Sequence, residues 1–289
     1  MGGLRIQLVI AGALLLLAGT ACGERAEPTG SLVEGYPVTV QGGADLPAVV
    51  SAVPRRIVPL GAGPRQILKA LGLKQRTVAV NDSLVGLPLV GEIRRARPDL
   101  IVASNDTDPL DLARARTATH AAIYVEPGSS LDDVVGAIGD IGLLTNQPLA
   151  ARRVTAAIQK ARRAVAAKLA GTPTVTVFVD TGDFSTVSTR SLLGDLIREA
   201  HGRSVAGPSP EPGPFPLSRL VQLDPEAYIA TSDSGRTLEG LRSQAGTKRL
   251  RAVRNKRFGI VSMTAAVPGP KVGEALAEIA RILHPDAFR

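Results

Sequence analysis

The chain has 289 residues, 44% hydrophobic and 21% charged, which is enough apolar material for one large core or two smaller ones and excludes wholesale disorder. Aromatic residues make up 3% and tryptophan is absent, which argues against base-stacking platforms and for no nucleic-acid partner. The net charge of +8 comes largely from scattered arginine pairs (Arg55 and Arg56, Arg94 and Arg95, Arg152 and Arg153, Arg162 and Arg163) and reads more simply as solvated helix faces than as a basic patch.

At the N-terminus Arg5 precedes an apolar run, Leu8 to Ala18, of signal-peptide length and too short for a membrane span. Gly19, Thr20 and Ala21 then lead to Cys22, the only cysteine. This resembles a bacterial lipoprotein signal, in which the cysteine is lipidated and anchors an extracytoplasmic protein to the cell membrane. A plain secretory signal with an incidental cysteine is the alternative. A lone cysteine excludes an intramolecular disulfide. Gly23 to about Gly35 reads as a tether.

From Arg55 onward short apolar runs alternate with helical patterns. Ile57 to Leu60, Val78 to Val80, Leu100 to Ala103 and Ile123 to Val125 are predicted strands, continuous and bounded by turn signals as buried parallel strands are. Pro64 to Leu71 is a predicted helix that Gly72 terminates. Ser130 with Asp133 forms a capping-box start for Leu131 to Leu144, whose Leu131, Val134, Val135, Ile138 and Ile141 share a face. Asn146 and Pro148 open a helix that runs to Ala170, about 34 Å long, before Gly171 and Pro173 stop it. Afterwards the alternation restarts: strands at Val175 to Val179, Tyr228 to Ala230 and Ile260 to Ser262, a helix at Ser191 to Ala200, and a last helix from Gly269 and Pro270 to His284. The halves echo one another, RPDLIVASND (Arg97 to Asp106) against DPEAYIATSD (Asp224 to Asp233).

The pattern predicts an α/β fold of two Rossmann-like lobes with mainly parallel sheets, joined by a single long α-helix. The expected divisions are 1–22 signal, 23–50 tether and N-terminal extension, 51–145 first lobe, 146–171 connecting helix and 172–289 second lobe. Ligands of such folds bind outside the carboxyl ends of the strands.

Four stretches carry a family resemblance: PRRIVPLGAGPRQILKALGL (Pro54 to Leu73), RPDLIVAS (Arg97 to Ser104), SSLDDVVGAIGDIGLLTNQPLAARRV (Ser129 to Val154) and PGPKVGEALAEIARILHP (Pro268 to Pro285). Their order and spacing resemble the helix-linked periplasmic substrate-binding lipoproteins of bacterial ABC importers, the cobalamin and ferric-siderophore type. The resemblance implies a monomeric binding protein that is not an enzyme, carries no cofactor, and takes a ferric siderophore or related metal chelate, with a corrinoid such as cobalamin as the other ligand class. It nominates cleft residues Asn81, Asp82, Ser104, Asn105, Thr181, Asp183, Phe184, Thr186, Phe215, Met263 and Thr264. It also implies an ABC permease as partner, met in this family by one glutamate per lobe. Here those positions hold Gly91 and Ser218, with Glu92 one residue away as the substitute in the first lobe. That departure motivates a rival reading, a stand-alone envelope protein that kept the fold and lost permease docking.

Other chemistry lacks a signature. His120, His201 and His284 show no metal-ligand spacing, so no metal site is expected. The chain has no P-loop, GxSxG elbow or HExxH motif. GAG at Gly61 to Gly63 lacks the third glycine and the later acid of a dinucleotide fingerprint, and reads as a tight turn with Pro64 starting the helix.

Overall fold

A computed structural model describes residues 35–43, 47–208 and 213–289. The signal-like segment and Cys22 lie outside the described residues, as does most of the tether. Ahead of the first lobe stands an antiparallel hairpin, β1 (Val38–Val40) and β2 (Ala48–Val50), which the sequence pattern did not reveal. Tyr36 pins it by donating its hydroxyl to the Leu144 carbonyl at 2.8 Å.

The first lobe is a three-stranded parallel sheet in the order β3 (Ile57–Leu60), β4 (Leu100–Ala103), β5 (Ala122–Val125). Its strands are buried on both faces, so they read as unbroken apolar runs rather than alternating ones. Ile57, Leu100, Val102 and Tyr124 face the core shared with α1 (Ala62–Ala70). Val58, Leu60, Ile101, Ala103, Ile123 and Val125 face α2 (Gly86–Ala96) and α3 (Pro109–Thr119). Helix α3 starts where Asp108 accepts a hydrogen bond from the Leu110 N–H and Pro109 takes the first turn, a capping signal that the arginine-rich and alanine-rich face behind it obscures.

Val78 to Val80 does not form the expected strand. Thr77 makes one bridge to Ile57, and the chain then leaves the sheet edge. Two acceptors pull it away: Asn81 takes the Ser83 N–H, and Asp82 takes the Gly61 N–H at 2.8 Å. Pro64 stands two residues inside α1, because Gly61, at φ 105°, is the residue that turns the chain into the helix.

Helix α4 (Leu131–Leu144) leads into α5 (Pro148–Leu169), whose 22 residues make the connection predicted from the sequence. The second lobe is a parallel four-stranded sheet in the order β7 (Gly202–Ser204), β6 (Val175–Asp180), β8 (Ala227–Thr231), β9 (Phe258–Val261). Around it lie α6 (Leu192–Glu199), α7 (Leu217–Leu223), α8 (Leu238–Ser243), α9 (Arg251–Arg254), α10 (Met263–Ala266) and α11 (Val272–Leu283). One continuous core runs from Val40 through α4, α5 and α11 to Leu283 and so spans both lobes. Small residues make it close-packed: a Cβ on Gly142 would stand 2.4 Å from the Ala151 Cβ, and one on Gly273 would stand 3.0 Å from the Ala161 Cβ.

Candidate functional site

In both lobes the turns at the carboxyl ends of the strands converge. Gly63, in the first turn of α1 after β3, meets the Pro268 carbonyl, which lies 2.3 Å from where a Gly63 Cβ would stand. Gly128, after β5, faces the Pro268 ring at 2.7 Å on the same measure and the Asn105 side chain at 3.5 Å. Gln66 of α1 donates to the Thr264 carbonyl at 3.1 Å. The segment 263–269 of the second lobe therefore seats directly on the first lobe, and only glycine allows so close a backbone approach at positions 63 and 128.

Glu126, the residue after β5, lies beneath this contact. It is 0% exposed, and neither carboxyl oxygen has a hydrogen-bond partner. Burial pushes its pKa up to about 8; the charge of Asp106 adds to the shift and the Ser104 hydroxyl opposes it. An unpaired buried carboxyl is costly when ionised, so Glu126 is neutral at pH 7. Nothing in the residue pattern singled it out, although its position between an apolar strand and Pro127-Gly128 is one where a cleft residue belongs. The same wall of the first lobe carries further acids. Asp82, Asp106, Asp108 and Asp111 line a concavity with Leu60, Leu84, Val85 and Leu89. Burial raises the Asp82 pKa, but the Gly61 N–H and Arg65 outweigh it and hold the carboxyl below its usual range.

In the second lobe the organising residue is Asp180, the last of β6 and 0% exposed. One oxygen accepts the N–H groups of Gly182 (2.8 Å) and Phe184 (3.1 Å). The other accepts the Tyr228 hydroxyl (2.5 Å) and the Arg236 guanidinium (2.9 Å). This fixes the turn 181–185, in which Asp183 and Phe184 adopt left-handed backbone (φ 48° and 60°), and lays Arg236 over the Phe184 ring at 4.3 Å. Desolvation and the Asp180 carboxylate both push the Tyr228 pKa upward, so it remains a hydrogen-bond donor.

These features are two walls of polar turns at strand carboxyl ends, held on lobes that share a helix. Residues 85–261 match the family model described as periplasmic binding protein, more than half of the chain. The chain belongs to that family. It is a family of binding proteins, not of enzymes. A relative in Halobacterium salinarum, the cobalamin-binding protein, is 24% identical over 277 residues, which cover 86% of this chain and 74% of the relative. Among solved structures, Helicobacter pylori Ceue with Ni(II) bound superposes with a TM-score of 0.76 at 15% identity, over 87% of this chain and 90% of that one. The periplasmic vitamin B12 binding protein BtuF of Vibrio cholerae gives 0.69 at 16% identity, over 82% and 98%. At these identities the structural likeness shows the fold.

Set in this periplasmic binding protein fold, the nominated residues take different places. Ser104, buried after β4, and Asn105, exposed beside Gly128, lie next to the Glu126 floor, and Thr264 touches α1 across the lobe contact. Met263 starts α10 with its N–H on the Ser232 hydroxyl at 3.2 Å. Asn81 and Asp82 are spent on local turns, the latter beside the acidic concavity. Thr181, Asp183, Phe184 and Thr186 belong to the Asp180 turn; the Asp183 side chain is 99% exposed, while the Thr186 hydroxyl oxygen is buried without a partner. Phe215 is 7% exposed, with its ring 5.3 Å from Phe178 and under Arg219, so it serves as the base on which Phe184 rests, its N–H bonded to the Phe184 carbonyl at 2.9 Å. Glu92 pairs with Arg95 on the surface of α2. Among the described residues no group of three or more His, Cys, Asp or Glu side chains could hold a metal ion, and no helix is long and apolar enough to cross a membrane.

Proposed function

We propose that the chain is the extracytoplasmic, lipid-anchored substrate-binding component of an ABC importer, and that its cargo is a metal chelate held between the lobes. The observation that carries this reading is the convergence of strand-end turns from two lobes on one seam at Gly63, Asn105, Gly128 and Pro268. The character of the cargo follows from the walls. The first-lobe side presents Asp82, Asp106, Asp108 and Asp111 around a concavity of about 270 Å³, and the nearby cations Arg65 and Arg114 are already paired with Asp82 and Asp111. Such a wall repels an anionic chelate and suits a periphery rich in N–H donors. A corrinoid with amide side chains meets that description better than an anionic ferric siderophore, the first ligand class the family resemblance implied, and the name of the Halobacterium relative points the same way.

Thermal unfolding of the purified protein with cobalamin, ferric hydroxamate and catecholate chelates, haem, and free Ni²⁺ tests the reading. A ligand at 100 times its Kd stabilises by about 2.7 kcal/mol, so the expected result is a clear shift with the corrinoid. A shift with ferric chelates alone would move the cargo back to siderophores. No shift with any of them, in a sample that melts cooperatively, would favour the stand-alone envelope protein suggested by Gly91 and Ser218.

A further inference from the structure

We infer that Glu126 is a proton-dependent latch between the lobes: its neutral carboxyl lets the Pro268 turn seat on the first lobe, and loss of the proton to solvent drives that turn off. The seat of the latch is read from the geometry of the seam, while its meaning for cargo rests on the binding-protein reading above.

The seam crowds Glu126 with oxygen atoms, and the Ser104 hydroxyl is a donor that favours its charged form. A Cβ at Gly63 would stand 2.3 Å from the Pro268 carbonyl oxygen and 2.6 Å from a Glu126 carboxyl oxygen, so the two oxygens crowd one face of the same glycine. Protonated, the carboxyl brings an O–H to a place rich in acceptors. Ionised, it is desolvated beside the Pro268 carbonyl and the Asp106 charge, and the Ser104 hydroxyl offsets only part of that cost. The turn after β4 contributes Ser104 and Asp106, α1 contributes Gly63, and the second lobe contributes Pro268. The only titratable neighbour on its own strand is Tyr124, whose hydroxyl is committed to Asp140 at 3.0 Å. Among the described residues no cation acts on the carboxyl. Part of the cover comes from the other lobe through Pro268, so parting the lobes exposes Glu126 to water and moves it toward an ordinary acid. Closure and proton uptake are then two descriptions of one equilibrium.

The direction follows from the raised pKa of about 8 in the closed form. The closed form holds a proton that the open form releases, so the closed-to-open ratio falls as pH rises, by at most tenfold per unit between the open-form and closed-form values. In the binding-protein reading, mildly acidic surroundings hold the lobes shut and alkaline ones loosen them.

The test measures lobe separation without cargo, by pulsed EPR between spin labels at L87C and D233C, with Cys22 replaced by serine, from pH 5.5 to 9.5. Wild type is expected to move from a short to a long distance population with rising pH, and E126Q, which cannot ionise, to stay closed throughout. E126Q that follows wild type, or wild type that does not respond, overturns the latch. Should E126Q fail to fold, Gly63→Ala keeps the proposal testable: its methyl would meet the Pro268 carbonyl, so it is expected to open the seam at every pH, and a wild-type distance distribution in G63A overturns the seat on which the latch depends. Because the readout needs no cargo, a failure of every candidate ligand to bind in the same samples bears on the import reading alone.

Discussion

Asp180 and Glu126 are both buried carboxyls at the carboxyl end of a parallel strand, and their surroundings give them opposite characters. Asp180 accepts four hydrogen bonds, one from the guanidinium of Arg236, and so holds the turn 181–185 in shape. Glu126 accepts none. Removing the first leaves a buried Tyr228 hydroxyl and a half-buried Arg236 without their acceptor. Asp180→Ala is therefore expected to cost about 3–5 kcal/mol of unfolding free energy, measured by urea denaturation. A cost under about 1 kcal/mol would mean that water replaces the carboxylate and that the turn is not organised by it.

Helix contacts set the next scale, where glycine separates propensity from packing. Gly136 and Gly142 lie on the same helix, α4. Nothing stands within 4 Å of a Cβ at Gly136, whereas one at Gly142 would sit 2.4 Å from the Ala151 Cβ of α5. Gly136→Ala should stabilise by up to about 1 kcal/mol through helix propensity. Gly142→Ala receives the same propensity gain, and overpacking should reverse its sign to a net loss of about 1–2 kcal/mol. Equal effects in thermal melts would show that α4 and α5 can slide apart freely, contrary to a shared core. Polar contacts tie the same elements: Asp195 of α6 accepts the Leu131 N–H at the start of α4 (2.9 Å), and Arg162 of α5 bridges Glu199 of α6 and Asp132 of α4.

At the scale of the molecule, the core that runs unbroken through α4, α5 and α11 makes the hinge stiff, so the lobes have little freedom other than a small parting at the Pro268 seam. The pH dependence of global stability should report the same residue. Glu126 has a folded-state pKa raised to about 8, so its contribution is fully present below the ordinary glutamate range and is lost as pH rises to that value. Burial depresses the His284 pKa despite its hydrogen bonds to Ala200 and His201, so that residue costs stability as pH falls below the ordinary histidine value. Above the ordinary histidine value the His284 effect fades with rising pH, so the Glu126 slope is read between about pH 7 and 8. Wild-type stability should fall by at most about 1.4 kcal/mol per pH unit there, and E126Q should be nearly flat in parallel denaturant titrations. An E126Q slope equal to that of wild type would assign the titration to another group.

The sequence by itself determined the layer architecture, because a strand buried on both faces must be a continuous apolar run and a helix on a core must repeat its apolar residues every three to four positions. Ile57 to Leu60, Leu100 to Ala103 and the long α5 are legible for that reason. Short elements without such a pattern were not: the three-residue strands β1 and β2 are too brief to show an alternation, and α3 hides behind Ala113, Arg114 and Arg116. Val78 to Val80 has the composition of a strand, yet side-chain acceptors at Asn81 and Asp82 take it off the sheet. The same limit applies to the site. Family spacing found the turns but not which residues they bury, since burial is a property of what the other lobe brings. Pro268 and Gly63 are 205 positions apart in the chain, and the contact they make beside the Glu126 carboxyl is nothing that a local residue pattern carries.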